Sequence, residues 1–404
     1  MLSSRAVIDS PRRQRVLLLQ ETLHPSGGRN AVAVWMIEAL KRDYDVTVLT
    51  WSPPDVDRLN RFYGTSLARS EFRVHSVPAP VRWVFKLDPD PRSIQKLCLL
   101  IRIGKIIGKR FDVLVTAAGE VDFGRRGIQY VSYPHLQRHY ATWQSLRRLP
   151  RRGRLCALIR GRYRPWMLLA GYSFDRMKDN VTLVNSDWTR AKFRESYAAD
   201  ALTVYPPVPA GFPDVPWGQR EDGFVCLGRI SSEKRVEQVI DILARVRERG
   251  HGPHLHIIGN PGEPRSYYDK VCREVRQRGS WVTLHEGLSR EAVSQLVAQH
   301  RYGIHGRPDE HFGIAVAEMM KAGCIVFAPA DGGQVEIAGG EDRLLYRSAD
   351  DAVEKILRVM NDTEEQTALR RHVDVRSQLF SPEAFTTRIQ DVVREFLRAE
   401  RSVV

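Results

Sequence analysis

The sequence lacks any apolar run of the ~18 residues that a membrane-spanning helix needs, which argues against an integral membrane protein. Cysteines are also few. The five among 404 residues are far apart, form no C-x-x-C pair and have no histidine ligands nearby in sequence, which predicts a protein of the reducing cytoplasm without structural zinc. The first 14 residues have arginines but no apolar segment, so we expect a flexible tail rather than a secretory signal.

Acidic residues are scarce relative to basic ones, 48 against 62, and the net charge is +14. Such an excess suits an anionic partner, which could be nucleic acid, an acidic membrane or a phosphorylated substrate. Residues 146–166 contain eight arginines and no acidic residue, interleaved with apolar and aromatic side chains. This mixture favours attachment to an anionic membrane surface, with a solvated basic loop as the alternative. No nucleic-acid-binding signature accompanies the charges, so nucleic acid is not expected. The expected location is cytoplasmic, with peripheral attachment to the cytoplasmic membrane face.

Strand-like and helical stretches alternate along both halves of the chain, which predicts an α/β fold with parallel sheets. A chain of 404 residues fits two domains. A proline-rich stretch at 205–217 is typical of an interdomain connection. The predicted parts are a tail (1–14), an N-terminal domain (15–205), a C-terminal domain (206–381) and a final helix (382–404).

Two cations follow a buried strand of the second half, at the point where the chain enters a helix. Arg229 and Lys234 flank the segment between them, and ligands of open α/β sheets bind at the carboxyl ends of strands. An arginine fork and a lysine point charge could hold a diphosphate there. The alternative is a solvated basic helix start.

A second strand-to-helix turn has two glutamates eight positions apart, Glu310 and Glu318. The helix start from Phe312 has free backbone amides and a positive dipole end, which favour an anion. At ~1.5 Å rise per residue the two carboxylates would span about 12 Å, the length of a ligand with a sugar at one end and a ribose at the other. For an isolated pair, ordinary helix-surface charges are the simpler interpretation.

Two glycine pairs also follow strands: Gly332 with Gly333 in the second half, and Gly27 with Gly28 in the first. Glycine lets the backbone approach a ligand closely, although an ordinary tight turn would use the same residues. We expect the Gly27–Gly28 loop to face the ligand from across a cleft.

In combination these segments resemble the retaining glycosyltransferases of family 4, from Gly27 to about Glu336. The paired-glutamate segment from Glu310 to Glu318 is the most specific match. The resemblance implies a GT-B fold, in which two Rossmann-like domains with parallel sheets face each other across a cleft. In this fold we expect the final helix to cross back to the first domain. Within the family, Glu310 to Ile314 looks most like the mannosyltransferases that elongate dolichol-linked oligosaccharide from GDP-mannose. We therefore favour GDP-mannose over a UDP-hexose as donor.

The resemblance implies a role for each matching residue, with the nucleotide-sugar as substrate and no cofactor or metal. The implied donor site comprises diphosphate-binding residues (Arg229, Lys234, Gly27, Gly28), sugar-binding residues (Glu310, His311, Phe312, Gly313, Ile314) and a ribose-binding carboxylate (Glu318). Glu310 and His135 are the implied catalytic residues. The family's usual histidine position is occupied here by serine at Ser132, and His135 is the nearest histidine. A structural histidine is the alternative there.

Several functions remain open from the sequence. The acceptor could be a glycan, a glycolipid or a lipid-linked saccharide. Rival interpretations are a UDP-hexose-dependent polysaccharide glycosyltransferase, a nucleotide-sugar epimerase or hydrolase of the same fold, and a non-catalytic nucleotide-sugar-binding subunit. The co-occurrence of Arg229, Lys234, Glu310 and Glu318 disfavours the last of these, because a decayed site would be expected to lose at least one.

Overall fold

A computed structural model describes residues 13–25, 27–85, 93–136, 163–209 and 211–402 of the chain. Most of the predicted tail and residues 146–162 of the basic segment lie outside the described residues. Statements about absent features refer to the described ranges.

The strands form two groups, one in each half of the chain. The N-terminal strands are β1 Arg15–Leu19, β2 Asp45–Thr50, β3 Phe72–Ser76, β4 Val113–Thr116, β5 Ile128–Val131, β6 Val181–Val184 and β7 Leu202–Thr203. The C-terminal strands are β8 Glu221–Leu227, β9 Leu255–Ile258, β10 Val282–His285, β11 His300–Ile304, β12 Ile325–Pro329 and β13 Leu345–Tyr346.

Helices connect the strands and cover both faces of each sheet. Those of the N-terminal half are α1 Gly27–Leu40, α2 Val56–Tyr63, α3 Ala79–Val84, α4 Ile94–Ile107, α5 Tyr163–Leu169, α6 Phe174–Lys178 and α7 Asp187–Tyr197. Those of the C-terminal half are α8 Val236–Glu248, α9 Arg265–Arg278, α10 Arg290–Ala298, α11 Ile314–Lys321, α12 Gln334–Ile337, α13 Ala349–Asn361, α14 Thr363–Gln378 and α15 Pro382–Ser402.

Both sheets are parallel and doubly wound. The N-terminal order is β3-β2-β1-β4-β5-β6-β7, and the C-terminal order is β10-β9-β8-β11-β12-β13. Central strands such as β1 are apolar on both sides because helices cover both faces, and residues 16–19 of β1 are at most 1% exposed. The predicted α/β class with two parallel-sheet halves is confirmed.

The strand order reverses once in each sheet, between β1 and β4 and between β8 and β11. At such a point the connections leave in opposite directions and open a crevice at the carboxyl ends of the strands. The two crevices face each other and line one cleft.

The last helix, α15, packs against the N-terminal domain although it follows the C-terminal domain in sequence. Phe385, Ile389 and Phe396 are buried in the cluster that contains the inner residues of α1. The Gln390 side chain also donates a hydrogen bond of 2.8 Å to the Ala39 carbonyl. The helix therefore ties the two domains together through apolar burial.

We predict that Phe385→Ala destabilises the N-terminal domain by about 3 to 5 kcal/mol, because a fully buried aromatic ring leaves a cavity. Val375→Ala is the matched control, since Val375 is 72% exposed and should change stability by less than about 0.5 kcal/mol. Urea unfolding of both full-length variants measures the difference. Equal midpoints for Phe385→Ala and the control would show that α15 does not stabilise the first domain.

Candidate active site

The cleft between the domains has a volume of about 1570 Å³ and is lined by loops from both crevices. The C-terminal domain contributes the loop after β8, which contains Arg229 and Lys234, and the loop after β11, which contains Glu310. The N-terminal domain contributes the start of α1 and the loop after β5. The two strand-to-helix turns singled out in the sequence are thus neighbours because they flank the same switch point.

Glu310 is the centre of a compact group of charges. Its side chain is 14% exposed and forms an ion pair with Lys234, which is 16% exposed. His305 Nε2 lies 3.3 Å from the same carboxylate oxygen, and Arg307 Nη1 lies 3.9 Å from the other one. The carboxylate is therefore held by cationic and polar groups from both loops.

The pKa of Glu310 shows which effect dominates. Burial acts to raise the pKa of this carboxyl, but His305 and Lys234 outweigh burial and hold the pKa well below its usual value. Burial in turn lowers the pKa of His305, so its ring is neutral and donates from Nε2 to the carboxylate. Glu310 is consequently an ionised acceptor, able to receive hydrogen bonds from sugar hydroxyls.

The segment after β12 supports the loop that contains Glu310 through hydrogen bonds. Gly333 N donates to the Glu310 carbonyl at 2.7 Å, and Gln334 Nε2 donates to backbone carbonyls that include Arg307 at 2.9 Å. A Cβ on Gly332 would lie 2.5 Å from the Glu310 carbonyl oxygen, which excludes any side chain there. The sequence predicted that the backbone at Gly332 and Gly333 would approach a ligand. In the structure this backbone instead packs closely against the Glu310 loop.

Helix α11 begins beside this loop and points its first turn at the cleft. Gly313 has φ of 106°, a left-handed conformation that glycine adopts without strain. Ile314 reaches across to the other domain, where a Cβ on Gly28 would collide with its side chain. The Phe312 side chain is 2% exposed and packs against Tyr205 and Phe380. Phe312 therefore faces a ligand only through its backbone.

Glu318 lies about one turn further along α11 and lines the same cleft. Arg290 Nη1, from the first turn of α10, lies 2.6 Å from its carboxylate. The other terminal nitrogen of the guanidinium group, Nη2, is buried without a hydrogen-bond partner among the described residues. The predicted ribose-binding carboxylate therefore lies beside a guanidinium group whose Nη2 can still donate a hydrogen bond to a ligand.

The other predicted diphosphate-binding groups occupy different settings. Arg229 lines the cleft but is 68% exposed, and it pairs with Glu233 at 3.4 Å on its outer side. Gly27 and Gly28 also line the cleft, but they form the first residues of α1 rather than the expected loop. The helix begins there because Gly27, with φ of 70°, turns the chain from β1 into α1.

His135 is exposed and lines the cleft from the N-terminal side. Its ring lies 4.9 Å from Tyr133 and 6.3 Å from His311, measured between centroids. The buried carboxylate of Glu120 accepts from the Leu136 amide at 3.1 Å and from Tyr197 Oη at 2.9 Å. Glu120 thus positions the loop on which His135 lies.

His311 belongs to the contact between the domains. Its ring stacks on Tyr133 with centroids 4.1 Å apart and planes at 14°. Its carbonyl accepts from Ser186 Oγ at 2.6 Å and from Thr189 Oγ1 at 3.2 Å. Burial, with Arg307 acting in the same direction, lowers the pKa of His311 to about 4, so the ring is neutral.

Glu336 forms a second contact between the domains at the start of α7. Its carboxylate accepts from the backbone amides of Asp187 and Trp188, both at 2.8 Å. Burial raises the pKa of Glu336 overall, although these two amides act to lower it. A residue of one domain therefore caps a helix of the other.

Sequence reasoning did not identify Arg290, His305, Arg307 or Glu120 as site residues. Glu120 follows β4, and His305 and Arg307 follow β11, so these three lie beyond the carboxyl ends of strands that adjoin a switch point. Arg290 lies beyond the carboxyl end of β10. Strand-end position was therefore the available signal, but without the sheet order it does not select these residues from other strand-end polar groups.

Comparison with known proteins agrees with this architecture. Residues 212–373 match the family model "Glycosyl transferases group 1". The chain is 24% identical over 253 residues to the GDP-Man:Man(3)GlcNAc(2)-PP-Dol alpha-1,2-mannosyltransferase of Dictyostelium discoideum, covering 55% of this chain and 49% of the relative. The chain spans about half the length of the curated relatives it matches.

Two solved structures show the same fold over nearly the whole chain. Sucrose-phosphate synthase from Thermosynechococcus elongatus aligns with a TM-score of 0.67 at 17% identity, covering 96% of this chain and 100% of that chain. Anabaena HepE in complex with UDP-glucose aligns with a TM-score of 0.64 at 14% identity, covering 95% and 100% respectively.

The fold is therefore GT-B, as predicted. Residues 212–373 match the glycosyl transferases group 1 family, which agrees with the predicted class of enzyme, a glycosyltransferase. Among the described residues, no helix is both long enough and apolar enough to cross a membrane.

We predict that acid destabilises the wild type more steeply than Glu310→Gln. The folded pKa of Glu310 lies below its unfolded value, so its ionised form contributes stability above about pH 4.5 that is lost as the pH falls further. Thermal unfolding from about pH 6 to about pH 3.5 measures the two slopes. The exposed pair residue Glu195, changed to Gln, is the control. Parallel curves for wild type and Glu310→Gln would contradict the assignment.

Proposed function

We propose that the protein transfers mannose from GDP-mannose to a glycan or lipid-linked acceptor with retention of anomeric configuration. The observation that carries this proposal is the buried Glu310 carboxylate, ionised beside Lys234 and next to the start of α11. In the proposed donor site this carboxylate accepts from sugar hydroxyls, while the neighbouring Lys234 ammonium binds phosphate.

Charge development explains the proposed catalysis. As the glycosidic bond to the leaving group breaks, positive charge grows on the sugar and negative charge on the diphosphate. The ammonium group of Lys234 has three donors, and Glu310 uses one of them. The others, with the amides at the start of α11, would bind the departing phosphate. In the retaining reaction proposed here, that phosphate takes the acceptor proton, and no metal is needed.

Arg290 adds a further cation to the proposed donor site, beside Arg229 and Lys234. Its unpartnered Nη2 and its contact with Glu318 place a guanidinium next to the predicted ribose carboxylate. We propose that Glu318 accepts from the ribose hydroxyls while Arg290 orients it. His135, on the opposite wall of the cleft, is proposed to contact the sugar from the acceptor side.

The relatives favour mannose, because the Dictyostelium discoideum and Mus musculus proteins are both named as GDP-Man-dependent alpha-1,2-mannosyltransferases. A second candidate is transfer of a hexose from a UDP-sugar, which the UDP-glucose complex of Anabaena HepE supports. The two donors differ in the base, so nucleotide preference separates them.

We also propose peripheral attachment to the cytoplasmic face of an anionic membrane, where a lipid-linked acceptor would be found. Trp83 of α3 is 73% exposed and Leu168 of α5 is 69% exposed. The two helices meet through Phe85 and Trp166, whose ring centroids are 5.6 Å apart. Leu168 also lines the cleft, and α5 directly follows residues 146–162 in sequence. An apolar surface beside a basic segment suits a membrane interface.

Thermal unfolding with GDP, UDP, ADP and TDP, each with and without magnesium, tests the donor. We expect GDP alone to stabilise without metal, by about 2.7 kcal/mol at 100 times its dissociation constant. Lys234→Ala should raise that constant roughly tenfold to over a hundredfold, the worth of a charge-assisted contact of about 1.5 to 3 kcal/mol.

Lys192→Ala is the matched control, because Lys192 pairs with Glu195 on the outer surface of α7. A UDP preference would transfer the assignment to a UDP-hexose enzyme. No stabilisation by any nucleotide would contradict the donor site. Sugar release to water without transfer to an added acceptor would favour the hydrolase interpretation.

Vesicle flotation tests the membrane proposal. We expect binding to vesicles that contain phosphatidylglycerol and little binding to phosphatidylcholine alone, with weakening at high salt. Changing Trp83 and Leu168 together to serine should reduce binding, whereas Val375→Ser, at an exposed apolar position of α14, should not. Equal binding by all three proteins would contradict the role of α3 and α5.

A further inference from the structure

The amino-terminal edge of the second sheet has a cluster of histidines outside the cleft chemistry described above. His254, at the start of β9, and His256 are two residues apart, which places both on one face of the sheet. His300 begins β11, and Glu221 begins β8, the strand between β9 and β11. The sheet order brings together residues that are up to 79 positions apart (221 to 300).

The ligand atoms of these four residues converge. His254 Nε2 lies 2.9 Å from His300 Nε2 and 3.1 Å from a carboxylate oxygen of Glu221. One ring nitrogen of His256 completes the group, and all four ligand atoms lie within 4.8 Å of one another. First-row metal ions hold their ligands about 2.0 to 2.2 Å away, so small adjustments of these side chains would suffice to place one ion between them.

Glycine on the central strand makes the convergence feasible. A Cβ on Gly223 of β8 would collide with the ring of His254, so only glycine leaves room for that ring over the strand. The strand interior otherwise disfavours glycine, which cannot pack a side chain there. Gly223 is therefore explained by the position of His254.

Contacts of the second ring nitrogen orient two of the histidine rings, those of His300 and His256. His300 Nδ1 lies 2.7 Å from the Leu296 carbonyl, which only accepts, so Nδ1 carries the hydrogen and Nε2 presents its lone pair to the cluster. His256 Nδ1 lies 2.7 Å from His285 Nε2. Support of this kind on the second ring nitrogen is a common feature of metal-binding histidines.

We propose that Glu221, His254, His256 and His300 bind a divalent transition-metal ion, with Zn²⁺ the ion that three imidazoles and one carboxylate suit best. Imidazole nitrogen and carboxylate oxygen are ordinary zinc ligands in tetrahedral sites. His300 is fully buried, whereas the Glu221 side chain is 55% exposed, so the ion has a path from solvent.

The Glu221 end of the site lies away from the proposed donor. Glu221 is at the first residue of β8 and the cleft lies beyond its last, Leu227, which is roughly 20 Å away at about 3.3 Å per residue. His256 is nearer, because its ring contacts His285, which lines the cleft. The ion would therefore cross-link β8, β9 and β11 and would not act on the transferred sugar.

Calorimetric titration of the untagged full-length protein, stripped with EDTA and then given ZnCl₂, tests the proposal. We expect one ion per chain and a rise in unfolding temperature on binding. His254→Gln and Glu221→Gln should each weaken binding at least about tenfold. His251→Gln, three positions before His254, is the matched control and should bind as the wild type does. Co²⁺ in place of zinc should give the visible absorption of a four-coordinate site.

Glu221→Gln changes an exposed side chain and is expected to fold. It therefore tests the loss of a ligand even where the more buried His254→Gln variant folds poorly. Absence of saturable zinc binding by the wild type would overturn the proposal and leave a hydrogen-bonded histidine cluster. Zinc binding as strong as that of the wild type in both His254→Gln and Glu221→Gln would place the ion elsewhere and would also overturn the proposal.

Discussion

Burying the charge of Glu310 is the constraint on which the surrounding loops depend. An ionised carboxylate removed from water needs cations and donors in place beforehand. Lys234 arrives from the loop after β8, and His305 and Arg307 from the loop after β11. The loop itself is kept in shape by Gln334, whose amide nitrogen donates to the carbonyls of Arg307 and Pro308. These contacts fix the position of the Glu310 carboxylate in the cleft before any substrate binds.

The same loop also joins the two domains. One residue past Glu310, the ring of His311 stacks on Tyr133 and its carbonyl is held by Ser186 and Thr189. Any rotation of one domain against the other must therefore break or move contacts directly adjacent to Glu310. The position of the N-terminal domain and the geometry of the proposed sugar site are therefore coupled through the backbone between Glu310 and His311.

Strand-to-helix turns were predictable from sequence because buried parallel strands are apolar on both faces and polar residues follow them directly. That signal located Lys234, Glu310 and Glu318, and the family resemblance supplied their implied roles. It did not show that the Phe312 side chain packs inward, since an aromatic residue in a glycine-rich turn suits either a ligand or a core.

Contacts across the fold were not predictable, because they depend on strand order. Arg290 meets Glu318 only because α10 and α11 flank the same crevice. His254 and His256 share one face of β9, but Glu221 and His300 are distant from them in sequence, and the four meet because β8 lies between β9 and β11. The expectation of no structural zinc considered cysteine spacing, and the proposed site has no cysteine ligand.

Glu336 has a wider consequence for how the molecule works. Its carboxylate accepts from the first amides of α7 across the domain boundary. Water can replace hydrogen bonds of this kind, so Glu336 itself adds little to the cost of parting the domains, and the stacking of His311 on Tyr133 adds more. Under the proposed function, exchangeable bonds at this boundary would let the cleft open for a nucleotide to leave, while α15 keeps the two halves connected.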